Sequence, residues 1–364
     1  MPKLNVSKWE SEHKRHISDI IAEIDALYVV AVEEMVRLGM SYSYNPQTGK
    51  PFYFSDNKSI QKHVETTLLS FHNKLTDIIF AGIATEWAFA NRKNDSWVKK
   101  LFSDPKKGYL QHNLDALKAF QHRKFYGHTL SERVWNYTKQ LKEQIELSLS
   151  VGIIEGRSAT AISRDVRSYL NHPDKLFRRV RDQFGELVTS KVAQTYHPGQ
   201  GVYRSSYQNA VRMARTEINS AYREADNIRW QQLDFIVGIE IKTSKSHAAW
   251  LAKFWYPRFK KSRAPLEICD QMEGRYPKDF KFIGWHPNCR CFAVPILAND
   301  GMGKDWWECP DNEVKNVPYK FKEWVNNNAS QIERANNRGT LPYWITENKS
   351  YMNISSNSGK KSHS

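Results

Sequence analysis

The chain has 364 residues, 40% of them hydrophobic, which is enough for a buried core and for more than one structural unit. Its 54 Lys and Arg residues against 39 Asp and Glu residues give a formal charge of +15, which favours polyanionic partners, nucleic acid first among them. No secretory signal opens the sequence, and the longest apolar run near its start, residues 28–32, is too short to span a bilayer, so a soluble cytoplasmic origin without a membrane partner is expected.

The first half of the sequence is predicted to be mainly helical. Apolar residues recur every three or four positions from about residue 6 to residue 40, and again over residues 58–92, as amphipathic helices require. Turn-forming residues between them predict a turn-rich loop or a short hairpin over residues 41–54. Two further helices are predicted at roughly residues 110–122 and 130–150.

The second half adds strands to helices. Ser158 is expected to cap a short helix, and a long helix is predicted from about residue 205 to residue 233. Period-two alternation then predicts strands at residues 235–244 and 291–297, the second limited by Pro295 to an edge or a strand end. The predicted fold class is therefore α+β: a mainly helical N-terminal half followed by a small α+β domain with a short sheet and a Cys/His loop.

The stretch "GWHPNCRCFAVPIL", residues 284–297, leads from this loop into the last predicted strand. With an upstream Cys it forms the pattern C-x16-H-x2-C-x-C, and a tetrahedral Zn²⁺ ion takes four such donors. Two Cys ligands at the C-x-C spacing are less well placed to bind one ion than two at the usual C-x2-C spacing. The candidate metal ligands are Cys269, His286, Cys289 and Cys291, with Cys309 as a spare.

Other chemistry is compatible with the same residues. A disulfide between Cys269 and Cys289 would suit an oxidising environment, although four cysteines are too few to staple a chain of this size. A Cys nucleophile with His286 as its base lacks an accompanying glycine loop for an oxyanion, so no catalytic residue is predicted. In the remaining alternative, residues 286–288 form a capped turn that closes on packed, reduced thiols. Zinc is the candidate cofactor, and otherwise none is expected.

The order of motifs in this region resembles a known family. "ARTEINSAYREA" (residues 214–225) precedes a strand, and "CDQMEGRYP" (residues 269–277) and "HPNCRC" (residues 286–291) follow it. This is similar to the phage Mu F-like minor head protein family, also called the phage head morphogenesis domain, over roughly residues 130–297. In that family the position of Cys269 holds Cys or His, which favours the metal interpretation. Residues 240–265 form a longer and more basic version of the family pattern.

The resemblance implies an organisation and a function. We expect a helical N-terminal region (1–125), the Mu F-like domain (126–297) and a polar C-terminal extension with a disordered end (298–364). Members of the family are minor capsid proteins of tailed phages or prophages that associate with portal protein, other head proteins and packaged DNA, and that assist head assembly or genome delivery. The chain is accordingly expected in the virion, in the capsid interior or at the portal vertex, and in the host cytoplasm during assembly. It is not expected to be an enzyme.

A basic and aromatic stretch, "KFWYPRFKKSR" over residues 253–263, is the candidate DNA contact. Phosphate neutralisation and base stacking use such a mixture. We predict non-specific contact with double-stranded DNA through its basic side chains: Lys253, Arg258, Lys260, Lys261 and Arg263. A solvated basic loop with aromatics tucked into the core is the structural alternative.

Three charged residues are predicted to be structural. Arg215 and Glu217 belong to an R-T-E triplet that invites comparison with ADP-ribosyltransferase toxins, but on a helix they point about 200° apart and cannot face one ligand. Glu217 is expected to be a buried anchor that reaches an Arg such as Arg290. Arg290 lies between two cysteines, so in an extended segment it points away from them, and we expect it to pair with an acid rather than with phosphate.

An enzymatic function is the alternative hypothesis. Related domains occur beside toxin modules, which makes a toxin-like or nuclease-like metal-dependent enzyme the second candidate. The segment after Leu297 is too short for a fused toxin domain of ordinary size, and it has no paired carboxylates and His at a recognisable spacing.

Overall fold

The computed structural model describes residues 5–41, 51–173, 180–181, 187–188, 203, 205–259, 264–298 and 312–352. Within these ranges the α-helices are α1 Val6–Met40, α2 Lys58–Leu101, α3 Leu114–His122, α4 Leu130–Ile154, α5 Ala159–Asn171, α6 Ser206–Gln232, α7 Lys245–Trp250, α8 Tyr256–Phe259, α9 Ile268–Gln271, α10 Tyr319–Asn327, α11 Ala329–Asn337 and α12 Tyr343–Glu347. The strands are β1 Val180–Arg181, β2 Leu187–Val188, β3 Ile236–Lys242, β4 Gly274–Tyr276 and β5 Phe292–Leu297. Turns of 3-10 helix cover Phe54–Asp56 and Lys349–Tyr351, and a π-helical turn covers Leu251–Trp255.

The helices of the first half follow the predicted periodicity. Helix α1 has the predicted bounds, whereas α2 continues to Leu101, beyond the predicted end at residue 92, because no Pro or Gly interrupts the chain there. Helix α4 starts with a capping box, in which Thr129 and Glu132 satisfy each other's backbone N–H groups. Most of the predicted loop, residues 42–50, lies outside the described residues.

The helices of the middle of the chain are also confirmed. Ser158 caps α5 as predicted, since its side chain accepts a hydrogen bond from the backbone N–H of Ala161. Helix α6 runs over Ser206–Gln232, within two residues of its predicted bounds. The expected apolar line of α6 is buried, but charged and polar side chains on its other faces are buried as well.

The buried charges in the second half of α6 have partners on α2. Lys93 Nζ lies 2.5 Å from a carboxylate oxygen of Asp226, and both side chains are almost inaccessible to solvent. Arg229, fully buried, lies 2.8 Å from Asp95. An unpaired buried charge lowers the stability of the folded state, so these ion pairs allow the charged side chains of α6 to be buried.

The sheet is antiparallel, with β3 in the centre and β4 and β5 on its two sides. Ile239 of β3 pairs with Tyr276 of β4 and with Pro295 of β5. Pro295 therefore lies on an edge strand of the described sheet, as predicted. The short strand β4 was not predicted, since three residues carry too little alternation. Helices with a small sheet and a Cys/His loop confirm the α+β class.

The chain divides into two compact units that are not consecutive stretches of sequence. The sheet unit comprises Met1–His13, Ala84–Lys118 and Asn219–Ser364, and the helical unit comprises Lys14–Ile83 and Ala119–Ile218. The predicted boundaries at residues 125 and 297 concern the extent of the family resemblance and stay predictions.

The core of the sheet unit contains the cysteines and the helices of the C-terminal segment. Cys269, Cys289 and Cys291 belong to the same buried cluster as Phe321 of α10 and Trp344 of α12. The segment after residue 298 was predicted only as a polar extension, yet its described part, residues 312–352, supplies core side chains. The predicted disordered end, residues 353–364, lies outside the described residues. None of the helices in the described ranges has the length and apolar character needed to cross a membrane.

Candidate metal centre

The segment His286-Pro287-Asn288-Cys289 forms a tight turn. The backbone N–H of Cys289 donates to the carbonyl of His286 at 3.1 Å, and Asn288 has a φ of +62°. Pro at the second position and a positive φ at the third are the features of a type II turn, in which Asn is well tolerated. The turn predicted for residues 286–288 is therefore present, and it brings His286 and Cys289 to the same side.

Gly284 permits the approach of this loop to α6. Its φ is +121°, a conformation that L side chains rarely adopt. A Cβ atom at this position would lie 2.8 Å from a guanidinium nitrogen of Arg223 and 3.2 Å from Cβ of Cys289. Backbone conformation and space thus both require glycine at the start of "GWHPNCRC".

Three of the four candidate ligands, Cys269, His286 and Cys289, come together in the structure, and the fourth, Cys291, interacts with the two other cysteines. Cys269 Sγ lies 3.0 Å from His286 Nε2 and 3.9 Å from Cys289 Sγ, and the ligand atoms of these three residues all lie within 4.8 Å of one another. The thiol of Cys291 interacts with those of Cys269 and Cys289. We call Cys269, His286, Cys289 and Cys291 the Cys/His cluster. Its cysteines are buried and reduced, so the disulfide between Cys269 and Cys289 is not formed.

The imidazole of His286 is oriented by its own turn. Nδ1 lies 2.8 Å from the carbonyl oxygen of Pro287, and because a carbonyl only accepts hydrogen bonds, Nδ1 must carry the proton. The lone pair of a neutral ring is then on Nε2, the atom that faces Cys269. Histidine ligands of metals commonly show this arrangement, in which one ring nitrogen donates to a carbonyl and the other binds the ion.

The cluster favours a thiolate at Cys289. Burial raises the pKa of the Cys289 thiol, but hydrogen bonds from Cys269 and Cys291, together with the nearby charge of Arg223, outweigh burial and hold the pKa well below its usual range. The pKa of Cys269 is raised, chiefly because its thiol donates a hydrogen bond to Cys289. A thiolate at Cys289 is therefore favoured by its two thiol neighbours, and thiolate is the form of Cys that binds metals.

Arg223 of α6 fixes the loop that carries the ligands. Its guanidinium donates to the carbonyl oxygens of Ile283 and Cys289 at 3.1 Å each, and to that of Cys291 at 2.5 Å. Arg223 is only 8% exposed. A buried guanidinium with three backbone acceptors both satisfies these carbonyls and places a positive charge beside the thiols.

The turn that carries Cys269 is held from the other side. Cys269 lies in α9, where a carboxylate oxygen of Asp270 accepts a hydrogen bond from the backbone N–H of Glu267. The other carboxylate oxygen of Asp270 lies 3.1 Å from Nε2 of His247, a buried residue of α7. Both segments of the cluster are therefore anchored by side chains outside it.

The distance between the sulfur atoms of Cys269 and Cys289 fits a tetrahedral metal ion. With Zn–S bonds of about 2.3 Å, two sulfur ligands of zinc lie about 3.8 Å apart, close to the 3.9 Å between Cys269 Sγ and Cys289 Sγ. The 3.0 Å between Cys269 Sγ and His286 Nε2 is a hydrogen-bond distance, and the ring must move outward by about 0.6 Å to coordinate the same ion. His286 is the exposed member of the cluster, whereas its cysteines are buried.

The predicted DNA-contact residues are only partly described. Lys253 lies in the π-helical turn and is exposed to solvent. Arg258 lies in α8, but its side chain is not among the described ones, and Lys260, Lys261 and Arg263 lie outside the described residues.

The predicted partner of Glu217 is wrong. Glu217 is buried, as expected, but its carboxylate contacts Arg123 at 2.6 Å and Arg133 at 2.8 Å, on the segments before and within α4.

Arg290 is exposed while the cysteines on either side are buried, which confirms the alternation. Its guanidinium donates to the backbone carbonyl of Ser246 at 2.8 Å, and among the described residues no carboxylate pairs with it. Arg215 is half-buried and lines a cleft of about 460 Å³ within the helical unit.

Sequence reasoning missed the residues that hold the cluster in place. Arg223 lies inside the quoted motif "ARTEINSAYREA", but its role depends on the pairing of α6 with a loop about 60 residues later. No role was predicted for Gly284, although a Gly before a His-Pro turn is a signal for a special backbone conformation.

Comparisons of the chain with models of protein families, with characterised proteins and with solved structures give no match.

Proposed function

We propose that this chain is a minor head protein of a tailed phage or prophage, a non-enzymatic component that associates with portal and packaged DNA during head assembly or genome delivery. The observation that carries the proposal is the convergence of the motif residues. Cys269 and "HPNCRC" define the family resemblance, and their Cys and His side chains form one cluster although they are separated in sequence. Convergence of this kind is expected if the motif is the signature of a fold.

The Cys/His cluster is proposed to hold a structural Zn²⁺ ion. Three thiols and one imidazole are the donor set of structural zinc sites, and four protein donors leave no open position for water or substrate. Catalytic zinc sites keep such a position, so the donor count favours a structural over an enzymatic centre. The donor set therefore supports the head-protein hypothesis over the toxin-like or nuclease-like alternative.

Contact with DNA is proposed for the basic and aromatic segment. Lys253 is exposed, and the excess of basic over acidic residues in the whole chain supports a phosphate partner. Such contacts depend steeply on salt, because each neutralised phosphate releases counterions.

Mass spectrometry of purified, nuclease-treated phage particles tests the head assignment. We expect the chain in particles at a few copies, measured relative to portal protein. A chain found only free in cells, in a culture that produces particles, contradicts the proposal and favours the enzymatic alternative.

Metal analysis tests the centre separately. We expect about one Zn per purified chain, and loss of that zinc in Cys289→Ser. Cys309, the spare candidate ligand, lies outside the described residues and is not one of the four members of the Cys/His cluster, so Cys309→Ser is the matched control and is expected to retain the metal. A folded wild-type protein without zinc, after purification free of chelators, contradicts a zinc centre.

A further inference from the structure

A column of aromatic rings lies on the segment that follows β3. The rings of Trp250 and Trp255 are stacked, with centroids 5.8 Å apart and planes 28° from parallel. The ring of His247 is also stacked with that of Trp250, with centroids 6.3 Å apart and planes 21° from parallel. We call His247, Trp250 and Trp255 the aromatic column.

The π-helical turn is what aligns the two tryptophans. Residues five apart in an α-helix point about 140° from each other, so Trp250 and Trp255 could not stack on one. Over Leu251–Trp255 the helix widens, and the backbone N–H of Tyr256 donates to the carbonyl of Leu251, a hydrogen bond across five residues. This wider turn brings residues five apart onto one face. Such turns are rare and often occur at functional sites.

Hydrogen bonds fix the two ends of the column. The indole N–H of Trp255 donates to the carbonyl of Pro265 at 2.9 Å. At the other end, His247 is held by Asp270 at 3.1 Å, on the side of the Cys/His cluster. Rings held in this way lose little conformational freedom when a ligand stacks on them.

The exposed surroundings of the column are basic. Trp250 and Trp255 are half-buried, so part of each ring is accessible to solvent. Lys245 and Lys253, on the same continuous helical segment, are exposed, and the exposed Arg290 is tied to this segment through the carbonyl of Ser246. The nearby carboxylates Asp270 and Glu267 face His247 at the buried end.

We propose that the aromatic column binds unpaired nucleobases of single-stranded DNA, with the surrounding basic side chains on the phosphates. Tryptophan rings beside Lys and Arg are the elements of single-strand recognition, because every base has a face that stacks. In a duplex these faces are already stacked inside the helix and are not available. The inference rests on the DNA contact in the proposed function, and it replaces the expected duplex preference by a preference for single strands or unpaired DNA ends.

The test compares single-stranded and duplex DNA with the full-length protein. Fluorescence anisotropy at about 50 mM salt measures binding of a dT oligonucleotide of about 16 nucleotides and of its duplex with dA. We expect tighter binding of the single strand. Trp250→Ala should weaken single-strand binding on the order of 10-fold and leave duplex binding unchanged.

Two further variants separate stacking from a folding defect. Trp250→Phe should restore most of the single-strand affinity, because Phe keeps a ring face. Trp135→Ala is the matched control, since Trp135 is also half-buried and also contacts a histidine ring, that of His72, but lies in the helical unit. It should leave both affinities unchanged.

Each contrary result has a distinct meaning. Unchanged single-strand binding in Trp250→Ala, or an equal loss for single strand and duplex, overturns the inference and leaves a DNA contact of another kind. Absence of binding to either DNA by the wild-type protein overturns the inference together with the DNA contact. The head assignment is judged independently, by the presence of the chain in particles.

Discussion

Replacing Arg223 by Met tests how the loop of the Cys/His cluster is held. Met keeps much of the length and apolar character of the arginine stem, but it cannot donate to the carbonyls of Ile283, Cys289 and Cys291. A hydrogen bond from a charged donor contributes about 1.5 to 3 kcal/mol, and one guanidinium shared by three acceptors gives less than three times that amount. Allowing for the desolvation of the buried charge, we expect a loss of about 3 kcal/mol in the free energy of unfolding.

Thermal unfolding followed by near-ultraviolet circular dichroism measures the effect. For a compact unit of roughly 200 residues, 3 kcal/mol lowers Tm by about 6 to 12 °C. Arg290→Met is the control, because Arg290 is exposed and makes one such hydrogen bond, to Ser246, so its loss should stay below about 1 kcal/mol. Equal shifts in the two variants, or a shift below about 2 °C for Arg223→Met, would refute the reasoning.

Three further variants test other parts of the structure. Gly284→Ala should destabilise the protein by about 2 kcal/mol and reduce its metal content. Gly339→Ala is its control: Gly339 has a φ of +65° but nothing within 4 Å of the new Cβ, so the loss should be only about 1 kcal/mol. Metal analysis and Tm distinguish the two variants. Trp344→Ala should lower the free energy of unfolding, measured with urea, by about 3 to 5 kcal/mol, because the buried ring of Trp344 packs edge-on against Trp285 at 5.1 Å. A decrease of less than about 1 kcal/mol would mean that residues 312–352 are dispensable for the core. Burial raises the pKa of Glu146, so the folded state holds this proton more tightly than the unfolded state, and the contribution of Glu146 to stability falls as the pH rises above the ordinary carboxyl pKa. Glu146→Gln should therefore gain in stability relative to wild type as the pH rises above the ordinary carboxyl pKa, and a difference independent of pH contradicts this assignment.

Local sequence signals predicted the elements whose causes are local. The cap at Ser158 and the bounds of α1 and α6 follow from side-chain spacing and capping chemistry, which act within a few residues. Pro295 predicted an edge strand for the same reason, since the missing N–H is a property of the residue itself.

The positions of charged partners could not be predicted in the same way. Glu217 was correctly expected to be buried, because it lies in an apolar helical pattern, but its partners Arg123 and Arg133 come from segments about 90 residues earlier. Nothing in the local pattern distinguishes these arginines from Arg290. Long-range pairing depends on how the helices pack, and the sequence offers many equivalent basic residues.

The members of the Cys/His cluster were predictable because soft donors are rare in this chain. With only four Cys in the whole sequence, three near one His left few combinations. The side chains that support the ligands come from common residue types, and only packing reveals them. The π-helical turn at Leu251–Trp255 was missed for another reason, because a widened turn interrupts the helical period instead of following it.

The separation of the ligands along the chain has a consequence for folding kinetics. Cys269 and His286 are 17 positions apart, and the chain between them contains β4, the strand that pairs with one side of β3. An ion bound by both Cys269 and His286 would act on the unfolded chain as a cross-link does, and it would remove about 3 kcal/mol of loop-closure entropy. Refolding with the ion bound would then start from a preformed loop, with the search for the β3–β4 register already shortened.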